Sequence, residues 1–259
     1  MITDKTIVRS LVILAKWPEV GHAKTRLAEA FGSATAARMA EAFLRDTLFR
    51  FATLPARKIL AFAPKEAEPF FANLANKAYL LKPQVLGDLG ARLQALLLQE
   101  WRDGNANVVF IGTDSPTLPL TWIDQAFEHL MRADVVIGPA RDGGYYLLGC
   151  RLSPRWLAIL HQLSLWSSIS SPTLTDESLT RSRLPIFADI AWGTSQVLQQ
   201  TLRQVESANL RLALLPLWYD VDNAEDWAYL AAHSFALQYA GVDPLIPHTE
   251  MLLRGHGDE

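Results

Sequence analysis

The sequence predicts an α/β fold built on a central, mixed but mostly parallel sheet flanked by helices, and three observations carry that prediction. Short apolar runs alternate with segments whose apolar residues recur at helical spacing, the order that parallel sheets with helical crossovers require. The strongest run, Asn107 to Gly112 (NVVFIG), is continuous and rich in branched residues, the pattern of a strand covered on both faces. Half of the 259 residues are hydrophobic and 20% are charged, the balance of a globular chain. At this length folding should bury roughly 70–75% of the surface the unfolded chain exposes, enough for a substantial core.

The first strand is expected over Ile7 to Ala15. Ala36, Ala40, Phe43, Leu44, Leu48 and Phe51 then mark one face of a helix. Lys58 to Ala63 reads as a second strand, ended by Pro64, and Lys77 to Lys82 as a weaker third. Leu89, Leu93, Leu96, Leu97 and Trp101 form a helical stripe behind the start Gly87-Asp88-Leu89-Gly90. After NVVFIG, a helix is marked by Ile123, Ala126, Phe127, Leu130 and Met131. Strands follow at Val135 to Gly138 and Tyr145 to Gly149. Ser164 to Thr175, rich in Ser and Thr, reads as an irregular loop. The pattern then gives a helix from Thr194 to about Glu206, a strand from Leu210 to Trp218, and a helix from about Ala224 to Tyr239. Residues 1–240 are expected as one domain, and 241–259, with Pro244 and Pro247, as a tail that is mobile or docked.

Composition excludes several classes. With 24 Lys and Arg against 27 Asp and Glu, the net charge of −3 argues against a dedicated nucleic-acid binder. Cys150 is the only cysteine, so neither an intramolecular disulfide nor a multi-cysteine zinc site can form. No apolar stretch reaches the ~18 residues of a membrane span, and the N-terminus lacks a signal-peptide pattern, so the expected location is cytoplasmic. The six histidines show no metal-binding spacing.

In open α/β sheets ligands bind where strands end, which directs attention to four loops. The first, Lys16 to Leu27, carries Lys16, Lys24 and Arg26 between a strand and a helix, with Thr25 among them. Cations at a helix start oppose its dipole, so an anion such as a polyphosphate is a reason for their presence; a solvated basic loop is the alternative. A P-loop is excluded, because Ala23 stands where its second glycine belongs. The second loop places Asp114 at the tip of the most buried strand, before Ser115-Pro116: a metal-ligating carboxylate or a turn residue. The third, Arg141-Asp142-Gly143-Gly144-Tyr145-Tyr146, is longer than a tight hairpin needs and is equipped to grip a sugar or phosphate; a plain turn is the alternative. In the fourth, Asp220 and Asp222 project to one side of an extended segment as a cation site requires, while Asp222 with Glu225 also fits a helix-capping pattern.

Five motifs occur in order over about Leu11 to Tyr229. They are Lys16-x-Pro18-x-x-Gly21-x-x-Lys24-Thr25-Arg26-Leu27, Gln84-x-x-Gly87-Asp88-Leu89-Gly90-x-Arg92, Gly112-x-Asp114-x-Pro116, Gly138-Pro139-x-x-Asp142-Gly143-Gly144-Tyr145-Tyr146, and Asp220-x-Asp222. As a set they resemble a bacterial family of GT-A-type glycosyltransferases associated with radical-SAM/selenodomain proteins and arsenosugar biosynthesis. They are more distantly similar to 2-phospholactate and molybdenum cofactor guanylyltransferases. The resemblance implies the nucleotide-diphospho-sugar transferase (GT-A) fold and a Mg2+ or Mn2+ cofactor held by Asp114 and Asp222. It implies a nucleotide site of Lys16, Lys24, Thr25, Arg26, Gln84, Gly87 and Asp88. Gly143, Gly144 and Tyr145 would meet the acceptor, with Asp142 as the orienting residue or base. The implied partners are a nucleotide sugar or nucleoside triphosphate and a small-molecule acceptor. The reaction is then glycosyl transfer; nucleotidyl transfer with release of pyrophosphate, or nucleotide binding without catalysis, are the alternatives. Two departures bear on that choice: the Gly-x-Gly-x-Arg-Met loop of many nucleotidyltransferases is absent, and Asp114-Ser115-Pro116 offers one carboxylate where many glycosyltransferases have Asp-x-Asp.

Overall fold

The computed structural model describes residues 9–166 and 182–255. In chain order its elements are β1 (Arg9–Lys16), α1 (Thr25–Phe31), α2 (Ser33–Phe51), β2 (Arg57–Ala63), α3 (Glu68–Ala75), β3 (Leu80–Pro83), α4 (Leu89–Arg102) and β4 (Asn107–Ile111). Then come α5 (Leu120–His129), β5 (Val135–Pro139), β6 (Tyr145–Arg151), α6 (Pro154–Gln162), α7 (Val197–Ser207), β7 (Leu212–Leu214), α8 (Ala224–Tyr239) and α9 (Pro247–Gly255). The strands form one seven-stranded sheet in the order β3-β2-β1-β4-β6-β5-β7. Only β6 runs antiparallel to its neighbours; every other pairing is parallel.

The continuous apolar strands sit where their pattern demands. All five residues of β4 are buried. Successive side chains point to opposite faces, so Leu11, Ile13, Val109 and Ile111 feed one core layer together with Leu44, Phe51 and Phe127. Val12, Val108 and Phe110 feed the other, with Leu93, Leu97 and Trp156. A third cluster, including Leu27, Met39, Phe43, Trp227 and Leu252, binds α1, α2, α8 and α9 to each other.

The structure departs from the sequence reading at particular residues. The basic loop leads into a separate helix, α1, divided from α2 by Gly32 at φ 80°, a backbone angle that favours glycine. Helices α3 and α6 are present in addition to the helices expected from the sequence. The expected strand Leu210–Trp218 is only three residues long, because it lies at the sheet edge and Pro216 can donate no ladder bond. Trp218 resumes contact as an isolated bridge to Ala140. Residues 167–175 of the expected Ser/Thr-rich loop lie outside the described residues.

The segment after Tyr239 returns to the body of the protein. The buried carboxylate of Asp46, on α2, accepts hydrogen bonds from the backbone N–H groups of His248 (2.9 Å) and Thr249 (2.8 Å) in the first turn of α9. Those donors have no partner within their own helix, so Asp46 satisfies them and meets the positive end of the helix dipole. Arg50, one turn further along α2, donates through Nε to the Pro116 carbonyl (3.0 Å) and through its terminal nitrogen to the Pro244 carbonyl. The segment leading into the C-terminal helix and the loop after β4 thereby share one buried guanidinium. No helix among the described residues is long and apolar enough to cross a membrane.

Candidate active site

The loops that follow β1, β4 and β7 meet at the carboxyl ends of these strands. Asp114 leaves β4 through Gly112 and Thr113, and its carbonyl accepts from the Val221 N–H (2.8 Å), fastening the loop after β4 to the segment after β7. Lys24 arrives from the first loop at φ 47°, ψ 56° as the residue preceding α1. This left-handed conformation is uncommon for a side-chain-bearing residue and marks a backbone held by its surroundings.

The Lys24 ammonium closes the arrangement. Its Nζ lies 2.7 Å from Asp114 Oδ1, 2.7 Å from Asp222 Oδ1 and 2.8 Å from the Val221 carbonyl. An ammonium has three protons to donate, and three acceptors meet it. Its side chain is only 9% exposed. Burial pulls the Lys24 pKa down, but the Asp114 and Asp222 charges outweigh it and hold the ammonium above the ordinary lysine value.

A third carboxylate stands beside this pair. Asp220 accepts a short hydrogen bond from the Ser115 hydroxyl. Its pKa is pushed up to about 7, first by burial and further by the negative charges of Asp114 and Asp222, against the opposing effects of Ser115 and Lys24. Tyr219 anchors the same segment: its hydroxyl lies 2.9 Å from Thr117 Oγ1 and 2.7 Å from His233 Nδ1 on α8. The capping motif of α8 is Asn223 with Asp226, one residue beyond the Asp222–Glu225 pair that the sequence suggested. That shift leaves the Asp222 side chain for Lys24.

The other sequence-derived candidates fall into two groups. Lys16, Thr25 and Arg26 are exposed around the first loop. The Gln84 amide donates to the carbonyls of Ala15 (3.1 Å) and Ala61 (2.7 Å), tying β1, β2 and the end of β3 together, with Arg92 reaching its oxygen at 3.5 Å. Gly87 has φ 118°, and Asp88 caps α4 through Ala91 N–H (2.7 Å) while pairing with Arg183 (2.9 Å). Nothing in the sequence pointed to Arg183 as a partner for Asp88. A side chain on Gly90 would collide with Arg183 and Trp192, so this glycine lets the 183–192 segment lie against the start of α4.

The third loop divides its residues. Asp142 is exposed, and its Oδ1 accepts from the Gly144 N–H (2.8 Å), closing a local turn. Gly143, at φ 88°, lies so near Ser195 that a Cβ would sit 2.2 Å from its carbonyl oxygen. Its own carbonyl accepts from Leu198 N–H (2.9 Å) in the first turn of α7. Alternation along β6 sends the two tyrosines into different cores. The Tyr145 hydroxyl is buried beside Thr201, and Tyr146 lies over Gly138 and donates to the Pro216 carbonyl (2.9 Å). Tyr145 therefore packs beneath the loop and does not face outward with Asp142. Arg141 packs its guanidinium over the Tyr229 ring (5.7 Å), a contact the sequence did not suggest.

The residues present fit a divalent cation in one specific way. Asp114 and Asp222 aim an oxygen each at a single centre, where the Lys24 nitrogen stands. Among the described residues no three His, Cys, Asp or Glu side chains gather into a complete metal cage. Mg2+ and Mn2+ suit such an incomplete site, being held by one or two carboxylates with substrate phosphates and water completing the shell.

Comparison with known proteins agrees with this architecture. A family model described as an uncharacterised protein conserved in bacteria (DUF2064) matches residues 47–168, a span that contains Asp88, Asp114 and Asp142 but neither Lys24 nor Asp222. No curated protein matches the chain. The structure is similar to that of a candidate nucleotide-diphospho-sugar transferase from Desulfovibrio desulfuricans G20, with 27% identity, a TM-score of 0.74, and coverage of 95% of this chain and 97% of that one. Two more distant structures share the fold. One is the Mycobacterium sp. strain JC1 homologue of Rv0371c, at 14% identity and TM-score 0.50, covering 88% and 98% of the two chains. The other is 4-diphosphocytidyl-2C-methyl-D-erythritol synthase from Anaerococcus prevotii, at 12% identity and TM-score 0.50, covering 87% and 97%. The chain thus has the nucleotide-diphospho-sugar transferase fold.

Proposed function

We propose that this protein is a glycosyltransferase that moves a sugar from a nucleotide-diphosphate sugar to a small polar acceptor with divalent-metal assistance. The observation that carries this reading is the convergence of Asp114, Asp222 and Lys24 on one centre at the carboxyl ends of the strands. Likeness over nearly the whole chain to the Desulfovibrio protein supports it. In this reading Lys16, Lys24, Thr25 and Arg26 receive the diphosphate, and Gln84, Gly87 and Asp88 border the nucleoside. Asp114 and Asp222 hold the cation, whose charge offsets that of the departing diphosphate.

The acceptor approaches from the Asp142-Gly143-Gly144 turn, whose polar groups suit a polar molecule. Asp142 keeps lone pairs beyond the one given to Gly144, so its carboxylate can orient an acceptor hydroxyl and take its proton as the oxygen bonds to the anomeric carbon. The nucleoside diphosphate leaves as that bond forms.

The test has two stages. A thermal-shift panel of nucleoside diphosphates, triphosphates and nucleotide sugars, with and without Mn2+, identifies the bound class; a ligand at 100 times its dissociation constant stabilises by about 2.7 kcal/mol. The best nucleotide sugar should then release nucleoside diphosphate slowly to water in the presence of Mn2+. Release should vanish in Asp114→Asn and fall sharply in Asp142→Asn. Pyrophosphate release from a nucleoside triphosphate and a phosphorylated acceptor, with no turnover of any nucleotide sugar, would sink the proposal.

A further inference from the structure

We infer that Lys24 is a built-in counter-cation that occupies the divalent-metal position of the free protein, so that metal enters this site only as Lys24 leaves it. The inference rests on the reading of Asp114 and Asp222 as the metal carboxylates. It adds an order of events and assigns that order to one side chain.

The geometry sets the ammonium and a metal ion in competition for the same two oxygens. The Lys24 nitrogen sits 2.7 Å from one oxygen of each carboxylate, the separation of a charge-assisted hydrogen bond. Mg2+ would take those oxygens at roughly 2.0–2.1 Å, so ion and ammonium claim the same space and the same lone pairs. The site is also complete without metal. All three ammonium protons have acceptors, the third being the Val221 carbonyl. Two carboxylates that would otherwise repel each other are neutralised in part by a cation the chain itself supplies.

Displacing Lys24 has a cost that phosphate can offset. A buried ammonium stripped of its carboxylates is strongly unfavourable unless another anion receives it. Lys24 lies at the end of the largely exposed loop 17–23, followed directly by the exposed Thr25 and Arg26. A diphosphate arriving there offers oxygens to the ammonium and, on its other side, ligands to the metal. Metal alone must pay for an unpaired lysine; metal with diphosphate need not. The two ligands should therefore bind with positive coupling, and free Mn2+ should bind poorly.

The experiment measures Mn2+ binding to the whole protein without any nucleotide, by the electron paramagnetic resonance signal of unbound Mn2+. Lys24→Met should bind Mn2+ at least tenfold more tightly than the unmodified protein. Adding Asp114→Asn to that variant should cancel the gain, which shows that the ion sits at the vacated position. Unchanged or weaker Mn2+ binding in Lys24→Met overturns the inference. Should the methionine variant not fold, Lys24→Gln gives the same readout, since it too removes the charge and the third proton. The outcome is separable from that of the functional reading. Tight Mn2+ binding by Lys24→Met, with no nucleotide sugar ever turned over, leaves this inference standing and removes the glycosyltransferase proposal.

Discussion

The two ends of the sheet treat their carboxylates in opposite ways. At the amino end, Glu100 is fully buried and accepts hydrogen bonds from Ser10 Oγ (2.6 Å), Asn105 Nδ2 (2.8 Å) and Lys82 Nζ (2.7 Å), with Arg57 Nε at ion-pair distance (3.3 Å). Lys82 and Arg57 are shared with Asp103, so two carboxylates there meet two cations, and Glu100 has two neutral donors besides. At the carboxyl end, Asp114, Asp220 and Asp222 lie around the single ammonium of Lys24. The first arrangement is saturated and has no vacancy for a ligand. The second carries surplus negative charge beside an exposed basic loop, which suits a cation and a phosphate arriving together. An acidic residue thus identifies a site by the imbalance of its surroundings and by its access: the Asp114 side chain is 48% exposed, whereas Glu100 is fully buried.

The largest difference should appear in folding stability. Glu100→Ala leaves two buried neutral donors unmet and Lys82 and Arg57 with Asp103 alone, and should cost about 3–5 kcal/mol in urea unfolding. Asp114→Asn removes one of two carboxylates from a lysine that keeps the other, and relieves repulsion among the three acids. It should change the stability of the free protein by less than about 1 kcal/mol while abolishing the metal-dependent part of nucleotide stabilisation. Equal losses in the two variants would break the contrast and make Asp114 a structural residue.

The next effect concerns pH. Asp220 has its folded pKa raised to about 7 from an ordinary value of 3.8. The folded protein therefore holds a proton between these values that the unfolded chain has released. Stability should fall, by a few kcal/mol at most, as pH rises from about 4 to about 7, and then level off. Asp220→Asn should remove that slope in unfolding curves taken across the range. A slope that survives the substitution would place the titrating group elsewhere.

The smallest predicted change sharpens the ligand side of the comparison. Arg26 is exposed and follows Lys24 by two positions. Arg26→Ala should weaken nucleoside diphosphate binding by about 1.5–3 kcal/mol, the range for hydrogen bonds to charged groups, and leave folding unaltered. A nucleoside without phosphates should bind both proteins alike in calorimetry. Equal losses for both ligands would move Arg26 away from the phosphates.

Much of this molecule was legible in its sequence because the signals involved are local. The run Asn107–Ile111 had to be covered on both faces, and it lies between β1 and β6 with all five residues buried. The helix over Ala224–Tyr239 was expected from the sequence, although its cap proved to be Asn223 with Asp226. Pro216, visible in the sequence, could have shortened the expected last strand had the demand for ladder donors been applied there. Helices α3 and α6 are eight and nine residues long, and helices so short rely on the body they pack against as much as on their own pattern.

The candidate site was legible only as separate loops. Residue types and strand-end positions brought out Lys24, Asp114 and Asp222 one by one, because each lies where a strand of an α/β sheet must end. That one ammonium stands between the two carboxylates could not be read, for Lys24 and Asp222 are 198 positions apart along the chain. The sequence likewise could not separate Tyr145, turned into the core, from Asp142, left at the surface. Apolar periodicity acts between near neighbours and determined the sheet and its covering helices. Charge acts through space, so which carboxylates share a cation was decided only when the parallel strands set their carboxyl ends side by side.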